Sequence, residues 1–159
     1  MKLASLLTPQ QVILNLEGEV CADAISEIID HLICRKFIEA DLREEIVESL
    51  KAREQQISTG IGSGVAIPHA FSDNVEQVTA CFARSKEGVD FEALDNAPVN
   101  FIVLFVVPKK DYSMHLQTLA AIAKLFNNCE IRQQLHEAES AEDVLSIFAS
   151  RPSRTRCEQ

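Results

Sequence analysis

Phe101-Ile102-Val103-Leu104-Phe105-Val106-Val107 is an unbroken apolar run held between Asn100 and Pro108. Side chains of a strand alternate between two faces, so a run without a polar residue on either parity has to be covered on both. The run is far shorter than the roughly 20 residues that cross a bilayer as a helix. It therefore predicts a strand inside a sheet with a layer on each side, and the rest of the chain must supply those layers.

Helical spacing supplies them. Ala24, Ile25, Ile28, Ile29, Leu32 and Ile33 recur on one face between about residues 22 and 36. A second helix is predicted over 41–53, with Asp41 and Glu44 as a capping box and Leu42, Ile46, Val47 and Leu50 as its stripe. A third covers 113–126 with Leu116, Leu119, Ala120, Ala123 and Phe126 inward. A short helix follows over 130–138, and a last one over 141–149 opens on Ser140 and Asp143. Residues 12–16, 65–67 and 75–84 read as strands, Pro68 ends the second, and Lys86-Glu87-Gly88 reads as a turn. Helices at both ends with strands between them predict an α/β fold: a single domain with a central mixed β-sheet flanked by helices. The domain is expected over 1–150, followed by a polar tail over 151–159.

Several function classes are disfavoured. At 159 residues the chain buries about two thirds of its unfolded surface and needs no metal or disulfide staple. Its five cysteines are scattered without a C-x-x-C pair, so free thiols are expected rather than a zinc cradle or disulfide framework. The net charge of −9 opposes binding to nucleic acid or to an anionic membrane. Arg151, Arg154 and Arg156 read as a solvated end. The chain is expected to be cytoplasmic, with no nucleic-acid partner and no membrane insertion.

One stretch carries chemistry: Thr59-Gly60-Ile61-Gly62-Ser63-Gly64-Val65-Ala66-Ile67-Pro68-His69. Glycines let backbone N–H groups approach an anion closely. The spacing is neither that of a P-loop nor that of a dinucleotide fingerprint. By itself such a stretch is more often a structural turn. Pro68 holds Ile67 extended and places His69 just past a strand end. A histidine mostly neutral at pH 7 has a nucleophilic lone pair. On residue type alone, a lone histidine after proline is still more often structural than catalytic.

The Thr-Gly-Ile-Gly-x-Gly-x-Ala-Ile-Pro-His run resembles the active-site segment of the fructose/mannitol-type (type-2) enzyme IIA domains of the bacterial phosphotransferase system, nearest their nitrogen-regulatory branch. The resemblance extends over about residues 5–150 and includes the segment Ala93-Leu94-Asp95-Asn96-Ala97-Pro98-Val99. Ala70 departs from it, standing where glycine is commoner. The resemblance implies that His69 is phosphorylated. It implies active-site roles for Arg53, in Arg-Glu-x-x-x-Ser-Thr-Gly, and for His115, in x-His-Leu-x-Thr-Leu. It implies a phosphohistidine carrier fed by an HPr-like phosphodonor protein, with regulated targets such as a kinase or transporter, or else a regulatory module that binds according to its phosphorylation state without onward transfer.

Those residue types suit phosphoryl transfer, which asks mainly for in-line positioning and charge stabilisation. An arginine offers bidentate donors to phosphoryl oxygens. Thr59, Gly60, Gly62 and Gly64 are candidate phosphate-binding residues through their backbone amides. His115, in the first turn of its helix, would stay neutral beside the positive end of the dipole and donate one hydrogen bond. No metal and no cofactor is expected. Each assignment has a structural alternative: Arg53 as a cation at a helix C-terminus, His115 as a core histidine. His31 and His136 are expected to be solvated and uninvolved.

Overall fold

The computed structural model describes residues 3–56, 58–92 and 97–150. In chain order these form helix α1 (Leu3–Leu6), strand β1 (Val12–Ile13), helices α2 (Cys21–Cys34) and α3 (Arg43–Gln56), and strands β2 (Gly60–Gly62), β3 (Val65–Ala66), β4 (His69–Ser72), β5 (Thr79–Val89) and β6 (Val99–Pro108). Helices α4 (Tyr112–Phe126), α5 (Cys129–Glu137) and α6 (Ala141–Ala149) complete the fold.

The apolar run is the spine of the six-stranded mixed sheet. On one flank β6 pairs antiparallel with β5, which pairs parallel with β1. On the other flank it pairs parallel first with β3 and then with β4. The register is the same for both: Ala66 faces Ile102 and His69 faces Phe105. Strands β3 and β4 are thus one line of chain interrupted at Ile67-Pro68. Proline has no N–H to give, yet its carbonyl still accepts from the Phe105 N–H at 2.9 Å, so the ladder runs on past the break.

The alternation within β6 sorts the core into two halves. Ile102, Leu104 and Val106 pack with Ile25, Ile28, Ile29 and Leu32 of α2 and Ile46 and Leu50 of α3. Phe101, Val103, Phe105 and Val107 pack with Ile122 and Phe126 of α4, Leu135 of α5 and Phe148 of α6. This is the two-sided covering that an unbroken apolar strand demands.

Several sequence expectations need correction. The glycine stretch is the β2–β3 hairpin: Gly62, Ser63 and Gly64 all take positive φ at its tip. At Gly64 (φ 77°) a side chain would also crowd the Asn100 Oδ1, at 3.1 Å from its Cβ. His69 lies past the end of β3, as expected, and also begins a strand of its own, β4. Lys86-Glu87-Gly88 is not a turn. Strand β5 runs through it with a register shift between Arg84 and Val89, made possible by Gly88 at φ 95°. Asp41 is no N-cap, because it sits inside a 3₁₀ turn, Ala40–Leu42, that leads into α3. Ser140 does cap α6, accepting from the Asp143 N–H, but Asp143 returns its bond to Glu139, one residue further back. Cys21, Cys34 and Cys81 are free thiols and Cys129 is not, against the expectation of free thiols throughout. Residues 93–96 of the second resembling segment and the 151–159 tail lie outside the described residues. Among the described residues no helix is long and apolar enough to cross a membrane.

A buried arginine ties the layers together. Arg84 of β5 donates to the carbonyls of Leu14 (3.2 Å), Leu135 (2.9 Å) and Ala138 (2.6 Å). The last two lie at the C-terminal end of α5, where carbonyls lack intrahelical partners and the helix dipole is negative. Arg84→Met keeps much of the volume but orphans these acceptors. We expect a loss of about 3 kcal/mol in urea unfolding, with α5 the first element to lose hydrogen-exchange protection.

Candidate functional site

Strand β4 lies at an edge of the sheet, and α3 packs beside it. Residues at its start can therefore reach solvent while still fixed by the ladder to β6. There a cavity of about 590 Å³ opens between the C-terminal end of α3 and the N-terminal end of α4, lined by Arg53, His69, Phe71, Tyr112, His115 and Leu116, among others. The structure thus brings Arg53, His69 and His115 to one cavity from a helix end, a strand start and a helix start.

His69 is half-buried. Its Nδ1–H donates to the Ile67 carbonyl at 3.0 Å. A carbonyl only accepts, so this bond fixes the proton on Nδ1 and leaves the lone pair on Nε2. Burial lowers the His69 pKa, and Arg53 adds to this, while the Ile67 carbonyl and Glu54 work against it. The net shift is downward, so the ring is neutral at pH 7.

His115 is only 3% exposed. Its ring lies 5.2 Å from that of His69, 5.2 Å from Phe105 and 5.5 Å from Phe71, centroid to centroid. Its Nε2 is buried without a hydrogen-bond partner. Burial first, and His69 second, push its pKa down to about 4. His115 is a neutral ring whose polar atom is kept out of water among aromatic walls, a cost of about 1–3 kcal/mol that packing alone does not require.

The inward face of α4 differs from the expected stripe. His115, Thr118, Ile122 and Phe126 are buried, whereas Leu116 is 50% exposed and Ala120 is exposed. The helix is turned by about one residue, so that two polar residues go in and a leucine comes out to the cavity rim beside Tyr112.

The glycine stretch does not line this cavity. The Thr59 N–H donates to Glu54, and the Gly60 N–H to the Ser58 hydroxyl. Gly62 lines a separate hollow with Lys124 and Asn127, and the Gly64 carbonyl accepts from Asn100 and Phe101. His31 and His136 stand apart. His31 Nε2 bonds the Gln10 carbonyl at 2.8 Å, so it is partnered rather than freely solvated, and exposed His136 rests against Phe101. Among the described residues no group of three or more His, Cys, Asp or Glu is arranged to hold a metal. Sequence reasoning missed Glu54, whose carboxylate holds both the N–H and the hydroxyl of Thr59. The available signal was its place beside Arg53, five residues before Thr59.

The neutral His115 also makes stability depend on pH. In the unfolded chain it binds a proton below its ordinary 6.5, and in the folded chain only near 4. Stability from this residue is full above pH 6.5 and is lost as the pH falls towards 4, by about 3 kcal/mol in total. Urea unfolding of wild type and His115→Gln at pH 7.5 and 4.5 checks this. The wild type should lose more stability between the two pH values than the variant does.

Residues 5–151 match the family described as "Phosphoenolpyruvate-dependent sugar phosphotransferase system, EIIA 2". The chain is 33% identical to the nitrogen regulatory protein of Pseudomonas aeruginosa, over 92% of this chain and 94% of that protein. It is 36% identical to the PTS system fructose-specific EIIABC component of Bacillus subtilis over 93% of its own length, but spans only 23% of that larger protein. The crystal structure of nitrogen regulatory protein IIA-Ntr from Neisseria meningitidis superposes with a TM-score of 0.83 at 33% identity, covering 91% of this chain and 97% of that one. By sequence over nearly its whole length and by fold, the chain belongs to the EIIA type-2 family of the phosphotransferase system.

Proposed function

We propose that this chain is a histidine phosphocarrier that takes a phosphoryl group on Nε2 of His69 from a phosphorylated HPr-like protein. The observation that carries the reading is the hydrogen bond from His69 Nδ1 to the Ile67 carbonyl, which leaves Nε2 as the nucleophile at the cavity shared with Arg53 and His115. Nε2 attacks phosphorus, and the bond from phosphorus to the donor's imidazole nitrogen breaks with its electron pair returning to that nitrogen. The His69 ring gains positive charge as the new bond forms, and the Ile67 carbonyl on Nδ1–H stabilises it. Arg53 offers two donors to the equatorial oxygens. Nε2 of His115, buried without a partner, supplies a third donor when that nitrogen carries the ring's proton.

A direct phosphate contact from the N–H of Thr59 or Gly60 would require it to leave Glu54 or Ser58. In this reading Thr59, Gly60, Gly62 and Gly64 shape the hairpin that frames the site. Tyr112, 53% exposed, and Leu116 give the cavity an apolar rim suited to docking a protein donor in the cytoplasm.

The match to a nitrogen regulatory protein along nearly all of that protein favours a second, compatible reading. The phosphorylated and free forms would bind target proteins differently, because the phosphoryl group adds about two negative charges beside His69. A kinase or a transporter is the kind of target expected.

Incubation with phosphorylated HPr-like donor followed by intact mass measurement should show one added phosphoryl group on the wild type and none on His69→Ala. Undiminished labelling of the variant would falsify the reading. Arg53→Lys, which keeps the charge but loses the fork, should slow uptake by about 10- to 100-fold while the protein stays folded. Pull-downs with the two forms of the wild type test the switch, and identical partner sets would count against it.

A further inference from the structure

Hydrogen bonds lead residue by residue from the last turn of α3 to the His69 ring. The Glu54 carboxylate accepts from the Thr59 N–H at 3.0 Å, and from the Thr59 hydroxyl through its other oxygen. The Thr59 carbonyl accepts from the Ile67 N–H at 3.2 Å. The Ile67 carbonyl accepts from His69 Nδ1 at 3.0 Å. We propose that Glu54 is a positioning residue for phosphoryl acceptance: by fixing Thr59, and through Thr59 the Ile67 carbonyl, it holds His69 with the proton on Nδ1 and the Nε2 lone pair free.

Three observations converge on this assignment. Glu54 sits in the last turn of α3, where the negative end of the dipole disfavours a carboxylate. Its place there is explained by the two bonds from Thr59, which is buried, so that they are shielded from competing water. The Ile67 carbonyl is also the point where the β6 ladder stops helping. Pro68 follows it, and the next bond to β6 is made by the Pro68 carbonyl instead. Ile67 is therefore held from the Thr59 side through its N–H, which makes that link matter for where its carbonyl points. Finally, the Glu54 charge raises the His69 pKa against burial and Arg53. It thereby favours the positive charge that the ring acquires when Nε2 bonds to phosphorus.

The inference takes its purpose from the phosphocarrier reading, but its structural claim can be measured without phosphate. Imidazole nitrogen and carbon shifts, followed by NMR across a pH titration, report tautomer and protonation separately. Wild type should show His69 in the Nδ1–H form. Glu54→Gln should populate both tautomers and titrate at a lower pH than wild type, with uptake from phosphorylated HPr-like donor slowed about tenfold. Thr59→Ser, which keeps the N–H and hydroxyl, should preserve the tautomer and the rate, and Thr59→Val should lose both in part. A Glu54→Gln protein with a wild-type His69 tautomer and titration would overturn the proposal, as would equal losses in the Ser and Val variants. Thermal unfolding of each variant separates positioning from general destabilisation. Failure of the wild type to accept phosphate would instead sink the phosphocarrier reading and leave the tautomer result standing.

Discussion

The ladder along one edge of β6 is what the site depends on, and it is made in two unequal pieces. Strand β3 pairs through two residues and β4 through four, in one continuous register, with the Ile67-Pro68 break between them. Strand β6 is rigid because both of its faces are buried. Anything paired to it inherits that fixity. His69, opposite Phe105, is the first residue after the break. It is therefore anchored by its backbone and sits at a point where the carbonyl of Ile67 has left the ladder and turned to the imidazole. A regular strand would have offered anchorage without that free carbonyl, and a loop the carbonyl without the anchorage.

Burial and charge then act in a definite order. Desolvation is the leading influence on both His69 and His115, and it favours the neutral ring in each. For a nucleophile that is useful, since a protonated imidazole has no lone pair to give. Arg53 pushes His69 the same way, and in the proposed reading its guanidinium meets the incoming phosphoryl anion. A chain with a net charge of −9 would on average repel such an anion. The local field at the cavity, set by Arg53, by Glu54 beside it and by the N-terminal turn of α4, differs from that global balance. It is effective because it is close and partly shielded from solvent, where the distant carboxylates are screened.

The parts of the fold that were legible in the sequence are those where one physical demand dominates. The apolar run of β6 and the periodic stripe of α2 admit only one arrangement of their side chains. Strand β4 was missed because His-Ala-Phe-Ser is four residues of mixed character, which become a strand only by pairing with β6. Strand β2 was hidden for the opposite reason, since its glycines argue for a turn and it is only three residues long. At Gly88, a residue that usually breaks a strand here permits a bulge inside a long one. Of the candidate site, Arg53, His69 and His115 were named through the resemblance of their surroundings, and the structure places them on one cavity. Glu54 was overlooked although it stands beside Arg53 in the quoted motif, because its partner lies across a helix end, where sequence distance does not reveal hydrogen bonding.

The face of α4 shows why a periodic pattern fails next to a site like this one. The sequence pattern assigns inward positions by polarity, which places Leu116 in the core and does not include His115 in the stripe. The structure turns the helix so that His115 and Thr118 go in. Thr118 avoids the cost of burial by donating back to the Met114 carbonyl within its own helix, at 3.2 Å. His115 has no such outlet, and its Nε2 stays unpaired between Phe71 and Phe105. The same rotation carries Leu116 and Tyr112 to the rim. Buried polar atom and exposed apolar rim are therefore one departure from the ordinary pattern, not two. Both lie where His69 meets solvent, which is where a conflict between local pattern and global fold is expected to mark a working surface.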